Sequence, residues 1–264
     1  SGLGPKVYLV LESALVIEYT PGRIINMYDD QEGRYRRAVA QQMARFHSLQ
    51  VPIERNQEEK YVKHVFEVWL SEEVLHNLEC GFMRDSIDQF DCCKHLGDVQ
   101  KLRDEITYLK SAILNDADHV MVFAHNDLNR SNILVVNENP ANKEDENAEV
   151  ELKLVDFDFS RYFYRGADFG RYFVDYRDPS IEDTEDQPDA SAIPYKVMLE
   201  YIDHYRKECA RIQGKSYYEN PKNEVDKILR ETKLFMLFSC MLNMIYGLWV
   251  AAQNDPENRD ACLV

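Results

Sequence analysis

The stretch that most constrains this chain is Val122-Phe123-Ala124-His125-Asn126-Asp127-Leu128-Asn129-Arg130-Ser131-Asn132-Ile133-Leu134-Val135-Val136, followed after an insert by Leu152-Lys153-Leu154-Val155-Asp156-Phe157-Asp158. It holds three short apolar runs of β type, Met121 to Ala124, Ile133 to Val136 and Leu152 to Val155, parted by segments dense in oxygen-bearing side chains. Asp127 and Asn132 fall between the first two runs, and Asp156 directly follows the third. The insert, Asn137 to Glu151, is acidic and carries Pro and Asn, which reads as a solvated loop or a long hairpin connection.

The surroundings are helical. Tyr35, Val39, Met43 and Phe46 recur at helical spacing within Gly33 to Gln50, and a second helical zone covers Tyr61 to Glu79. Between Asp98 and Asn115, the positions Val99, Leu102, Ile106, Leu109 and Ile113 form one stripe, with Asp98 placed as N-cap. An acidic linker, Asp178 to Asp189, precedes a helix with Pro194 near its first turn and Tyr195, Met198, Ile202, Tyr205 and Cys209 on one face. Leu234 to Ala252 carries no charge over 19 residues, near the length of a bilayer span. However, Ser239, Asn243, Tyr246 and Gly247 interrupt it, and a stripe from Val225 through Ile228, Thr232, Phe235, Phe238, Leu242, Ile245 and Trp249 to Ala252 starts well before it, which favours a buried helix over a membrane span. The front end reads as an extended pair, Val7 to Leu11 and Ala14 to Tyr19, ending at the turn Thr20-Pro21-Gly22.

Composition narrows the partners. With 31 Lys and Arg against 47 Asp and Glu, the net charge of −16 repels phosphate backbones, so nucleic acid is not expected and a cationic small molecule is. The six cysteines form no CxxC pair, which argues against zinc or a disulfide framework and for a reducing, cytoplasmic compartment. No signal peptide is read at the front, and the opening Ser1-Gly2 reads as an internal start.

Phosphoryl transfer from a nucleotide needs few protein groups: a carboxylate that orients the attacking hydroxyl and takes its proton, and an amide oxygen and second carboxylate that hold magnesium on the phosphates. H-x-D-x-x-x-x-N, an apolar strand and D-F supply them in that order, with Asp127 as base, Asn132 and Asp156 as magnesium ligands and His125 as a loop scaffold. Asp168-Phe169-Gly170 copies the kinase metal-binding string but follows no apolar strand, so Asp168 is read as a structural anchor.

The joined pattern resembles the choline/ethanolamine kinase family. Its H-N-D-x-x-x-x-N-I-L segment is matched from His125 to Leu134, I-D-F-E by Val155 to Asp158, and Y-x-Y-R-G-x-D-I-G by Tyr162 to Gly170. G-P-K-L-Y is matched by Gly4 to Tyr8, and E-Q-Y/F-I-P-S-R resembles Ile17 to Arg23. The resemblance implies an α+β, protein-kinase-like fold, mostly its helical C-terminal lobe: residues 1–24 as the end of the N-terminal lobe and hinge, and 25–264 as the catalytic lobe. It implies ATP and Mg2+ as cofactors and phosphorylation of choline or ethanolamine, the first step of phosphatidylcholine and phosphatidylethanolamine synthesis. Glu18 and Tyr19 would meet adenine by backbone contacts, with Arg23, Asn129 and Asp156 also at the nucleotide. The family's late W-x-G-L-W is matched by Tyr246-Gly247-Leu248-Trp249, two aromatics on one helical face suited to an ammonium, and Asp175 and Tyr176 align with substrate-side residues.

The chain departs from the family at Tyr246, Tyr176, Asp158, Asp175 and Asn129, and the family's glycine-rich phosphate loop and strand lysine lie upstream of the match. A catalytically impaired relative acting as a binding partner is therefore the alternative reading, and a homodimer is left open. Asn126, Asp158 and the lack of an A-P-E segment argue against a protein kinase.

Overall fold

A computed structural model describes residues 2–80, 98–116, 118–138, 148–181 and 192–253. In chain order the elements are β1 (Val7–Val10), β2 (Leu15–Ile17), β3 (Arg23–Ile24), α1 (Gly33–His47), α2 (Glu58–Lys63), a π-helical turn (His64–Trp69), α3 (Glu72–Cys80), α4 (Val99–Leu114), β4 (Met121–Ala124), β5 (Ile133–Glu138), β6 (Val150–Leu154), β7 (Arg161–Tyr164), α5 (Gly166–Val174), α6 (Tyr195–Gln213) and α7 (Val225–Gln253). The expected β runs, the N-terminal pair and the helices at Gly33, Asp98 and Pro194 all form. Asp98 caps α4 by accepting from the Lys101 N–H at 3.1 Å. Most of the acidic insert (139–147) and of the acidic linker (182–189), together with Cys92, Cys93 and Cys262, lies outside the described residues.

Packing divides the chain elsewhere than at residue 24. One unit comprises Ser1–Arg55 and His119–Met236, the other Asn56–Asp118 and Leu237–Val264. The first unit carries three small antiparallel sheets, β1–β2, β3–β5–β6 and β4–β7. Arg23 and Ile24 of β3 pair with Val135 and Leu134, so the end of the expected N-terminal segment is stitched into the sheet that bears the catalytic-loop motif. α1 packs along α6 and against β4 and β6. Tyr35, Val39, Met43 and Phe46 of α1 and Met198, Ile202, Tyr205 and Cys209 of α6 are buried as their spacing demands, whereas Tyr195, in the first turn of α6, is exposed. Phe169, Tyr172 and Phe173 of α5 complete this core, edge-on to Tyr201 and Tyr205 with ring centroids 5.0–5.6 Å apart.

α5 lies against the front of α7 because two glycines one turn apart leave room. A Cβ built on Gly166 would sit 2.5 Å from a Phe235 ring carbon, and one on Gly170 only 2.4 Å from the Phe235 carbonyl carbon. Beside them the buried Arg165 guanidinium meets Glu231 of α7 at 2.6 Å and Asn223 at 3.0 Å.

In the second unit, Leu102, Ile106, Leu109 and Ile113 of α4 form the buried stripe read from the sequence. The helical zone expected from Tyr61 is broken: α2 ends at Lys63, a π turn carries the chain to Trp69, and α3 follows. Phe66 of that turn meets Phe238 of α7 edge-on at 6.0 Å. α7 is long and apolar enough to cross a bilayer by length and composition alone. Of the expected stripe, Ile228, Thr232, Phe235, Phe238, Ile245 and Ala252 are buried and Val225, Leu242 and Trp249 half-buried, with Leu237 and Cys240 on the open side.

Gly170→Ala forces a methyl group into rigid backbone. The expected result is a loss of about 1–3 kcal/mol, read from urea denaturation at constant m-value.

Candidate active site

The segment 125–132 hangs between two antiparallel strand pairs. β4 pairs with β7 and β5 pairs with β6, so the loop 125–132 and the turn after Leu154 leave neighbouring strand ends. The Val155 N–H donates to the Asn132 carbonyl at 3.0 Å, which ties the residue before Asp156 to Asn132 itself. His125 is fully buried, with Nε2 3.0 Å from the Val155 carbonyl; a carbonyl only accepts, so Nε2 carries the proton and the ring bridges the end of β4 to the turn after β6. Phe157 packs on it, with centroids 5.4 Å apart. This is the scaffold role expected for His125.

Asp127 sits at the centre. Its Oδ1 accepts from Asn129 Nδ2 and Arg171 Nε, each at 3.0 Å, and its Oδ2 accepts from Asn132 Nδ2 at 3.1 Å. Asn132 uses its Nδ2 toward Asp127, and among the described residues no hydrogen bond reaches its amide oxygen, while Asp156 is exposed. The residues on either side are held in an unusual backbone. Asn126 and Asp156 both have φ of 63°, the left-handed region that non-glycine residues seldom adopt. Asn126 is kept there by its N–H on Asp168 Oδ1 at 2.7 Å and its side-chain amide on the carbonyls of Ala124 and Phe159.

Asp168 is the anchor that its sequence context implied. It accepts the N–H of His125 at 2.8 Å and of Asn126 at 2.7 Å, and it meets His47 Nε2 at 2.9 Å. Burial alone would raise its carboxyl, but the His47 hydrogen bond and charge, with the His125 N–H, hold it below the usual carboxylate range. His47 is oriented in turn by the Tyr205 hydroxyl at 3.0 Å. Its role was missed in the sequence because it lies 121 residues from Asp168.

Other expected site residues are placed differently. Arg23 is engaged by Asp29 at 2.6 and 3.0 Å, Glu138 at 3.0 and 3.1 Å and the Tyr35 hydroxyl at 2.9 Å, which makes it a brace between β3, β5 and α1 rather than a free nucleotide ligand. Asn129 turns its amide onto its own loop, receiving the Ser131 N–H and capping the turn Arg130–Asn132. Tyr176 is only 1% exposed, its ring in the core and its hydroxyl on Gln31, so it has no face to offer a soluble cation. Asp175 already pairs with Arg171 at 3.0 Å. Glu18 accepts from the Lys6 N–H at 3.3 Å and pairs with Lys153 at 3.6 Å, while the Tyr19 side chain is 87% exposed.

Within the second unit, Tyr246 and Trp249 of α7 share a face as their spacing required, with centroids 5.9 Å apart. Trp69 joins them at 5.8 Å from Tyr246 and 6.5 Å from Trp249. Trp69 was not singled out in the sequence; it is one of only two tryptophans, which was the available signal.

The Asp168 contacts generate a prediction. Asp168→Asn removes the charge and cannot accept as two carboxylate oxygens do, so it should cost about 3–5 kcal/mol. Because the folded-state carboxyl ionises at lower pH than the unfolded one, this stabilisation is complete above the unfolded value near 4 and is lost as pH falls through the lower folded value. Urea titrations of both proteins from pH 7 to pH 2.5 should converge at the acid end; a constant gap would contradict the ion pair.

Comparison with known proteins bears on the family and the fold. The choline/ethanolamine kinase family model matches residues 1–261. Among curated relatives, a rat choline/ethanolamine kinase is 29% identical over 258 residues, covering 95% of this chain, and a Caenorhabditis elegans choline kinase B2 is 24% identical over 275 residues, covering all of this chain and 70% of its own length. The chain spans 58% of the length of the rat protein. Two solved structures share the fold: an ethanolamine kinase from Plasmodium vivax, with TM-score 0.65 and 15% identity over 97% of this chain and 63% of that one, and a choline kinase from Cryptosporidium parvum, with TM-score 0.63 and 19% identity over 94% and 68%. With the family profile running almost end to end over a kinase-like fold, the chain belongs to the choline/ethanolamine kinase family.

Proposed function

We propose that the full-length protein carrying this chain transfers the γ-phosphoryl group of ATP to the hydroxyl of a small cationic amino alcohol, choline or ethanolamine. The observation that carries this reading is the linkage of Asp127, Asn132 and Asp156: Asn132 donates from its side chain to the Asp127 carboxylate and accepts at its carbonyl from the N–H next to Asp156. This linkage supports the reading of Asp127 as the proton acceptor and of Asn132 and Asp156 as the oxygen ligands that phosphoryl transfer needs.

The donor set suits magnesium. Among the described residues no hydrogen bond reaches Asn132 Oδ1 or the Asp156 carboxylate, and no cluster of three His, Cys, Asp or Glu would hold a metal unaided. That composition fits an ion taking its remaining oxygens from phosphate and water. When bound, magnesium supplies charge neutralisation on the phosphates. The chain's own part is positional. Asp127 receives the hydroxyl proton at Oδ2, where only one lone pair is taken, and Asn129 and Arg171 fix the other oxygen. At the hinge, the backbone of Tyr19 is assigned to adenine.

For the acceptor, Trp69, Tyr246 and Trp249 offer aromatic faces of the kind that attract a quaternary ammonium, and relatives named choline kinase and ethanolamine kinase support both alcohols. The reading of an impaired relative draws nothing from the site, which retains base, amide and carboxylate.

The test is phosphorylation of choline, ethanolamine and an aminoglycoside by the full-length protein. Asp127→Ala should lower kcat by at least about 100-fold while costing about 1 kcal/mol of stability. Trp249→Ala should raise KM for choline more than for ethanolamine, since only the quaternary head depends wholly on aromatic faces. Undiminished turnover by Asp127→Ala would remove the assignment of the base.

A further inference from the structure

The geometry points to Arg171 as the positioning residue for the acceptor-side base: its guanidinium holds the Asp127 carboxylate in the orientation that leaves one lone pair of Oδ2 for the hydroxyl proton. This rests on the reading of Asp127 as base.

A carboxylate has about four lone-pair positions. Three are taken here: two on Oδ1 by Asn129 and Arg171, one on Oδ2 by Asn132. Both asparagines belong to the same loop as Asp127 and move with it. Arg171 comes from α5, 44 residues away, and is the bond that refers the carboxylate to the helical frame. The arginine is itself fixed: its Nη1 meets Asp175 Oδ1 at 3.0 Å, one helical turn on, and its side chain is 16% exposed, so the fork is shielded from solvent. Two bonds to a planar group set its plane as well as its place, which an ammonium cannot do.

The same helix face already holds the loop's backbone. Asp168, three residues before Arg171, binds the N–H groups of His125 and Asn126. Asp168, Arg171 and Asp175 thus form one ruler along α5, the first fixing the backbone ahead of the base, the second the base's side chain, the third the second. A competing description makes Arg171 an internal cation occupying the seat of the substrate's ammonium between Asp127 and Asp175. The two differ in what removal does: loss of positioning lowers kcat, whereas loss of a competitor lowers KM for the acceptor.

The experiment compares the wild-type full-length protein with Arg171→Ala and the milder Arg171→Lys, using choline and ethanolamine, with melting curves to confirm folding. Arg171→Ala should lose about 100-fold in kcat, with KM for nucleotide and acceptor within about threefold. Arg171→Lys should recover less than a tenth of the wild-type rate, and free guanidinium should restore part of the rate to Arg171→Ala but none to Asp127→Ala. The slowly exchanging Nε–H signal of Arg171 in 15N spectra should lose its protection in Asp127→Ala. Wild-type kcat in Arg171→Ala, a change confined to acceptor KM, or an Nε–H signal indifferent to Asp127→Ala would overturn the inference. A wild-type protein that phosphorylates neither alcohol would instead remove the underlying function, and with it the role assigned to Arg171.

Discussion

The site depends on one buried carboxylate accepting two successive backbone N–H groups. Unpaired, those donors at His125 and Asn126 would each cost a desolvation penalty, and Asn126 would have no reason to stay at a positive φ. Asp168 meets both needs, and its own carboxylate is hydrogen-bonded in turn to His47 Nε2 at 2.9 Å. This explains why a literal Asp-Phe-Gly string sits on a helix far from any metal role: its aspartate faces the loop's backbone, not a phosphate.

From that anchor the rest follows by short steps. The loop's entry is fixed by Asp168 and its exit by the Asn132 carbonyl, which receives the Val155 N–H. The β4–β7 and β5–β6 pairs can therefore not slide past each other without breaking one of these bonds, and His125 between them adds a third. Strain is concentrated at Asn126, next to Asp127, and at Asp156, while the β4–β7 pairs run without irregularity. Such strain persists only where surrounding contacts over-determine the backbone, and here they do.

What could be read from the sequence was whatever depends on near neighbours. The Asp98 cap, the stripes of α1 and α4 and the three β runs rest on contacts within a few residues, and they formed where expected. The joining of Asp127 to Asn132 is local as well, five residues apart and hydrogen-bonded at 3.1 Å. Three things were not legible. Arg23 and Tyr176 took their expected roles from alignment with a family, yet partners over a hundred residues distant, Glu138 and Gln31, engage them. The π turn at His64–Trp69 interrupts a stretch whose apolar spacing looks continuously helical, and it swings Trp69 toward Tyr246. Arg171 reads as an ordinary surface position on a short helix until Asp127 is seen beside it.

Charge shows the same separation of scales. Summed over the chain, −16 repels a polyanion, which is sound for a nucleic acid lying along a surface. Over a few ångströms the balance is local. Arg130, Arg171 and Arg177 line a cavity of about 480 Å3 with Asn129, Ser131 and Asp175. Two of these arginines are tethered by carboxylates, Arg130 by the buried Asp30 at 2.6 Å and Arg171 by Asp127 and Asp175. Tethering keeps the positive charge in place while cancelling its long-range field, so local positive charge gives this acidic chain no basic face. At the ionic strength of the cell an exposed charge is felt over only about 8 Å, so the sign of the sum does not fix the sign at one spot.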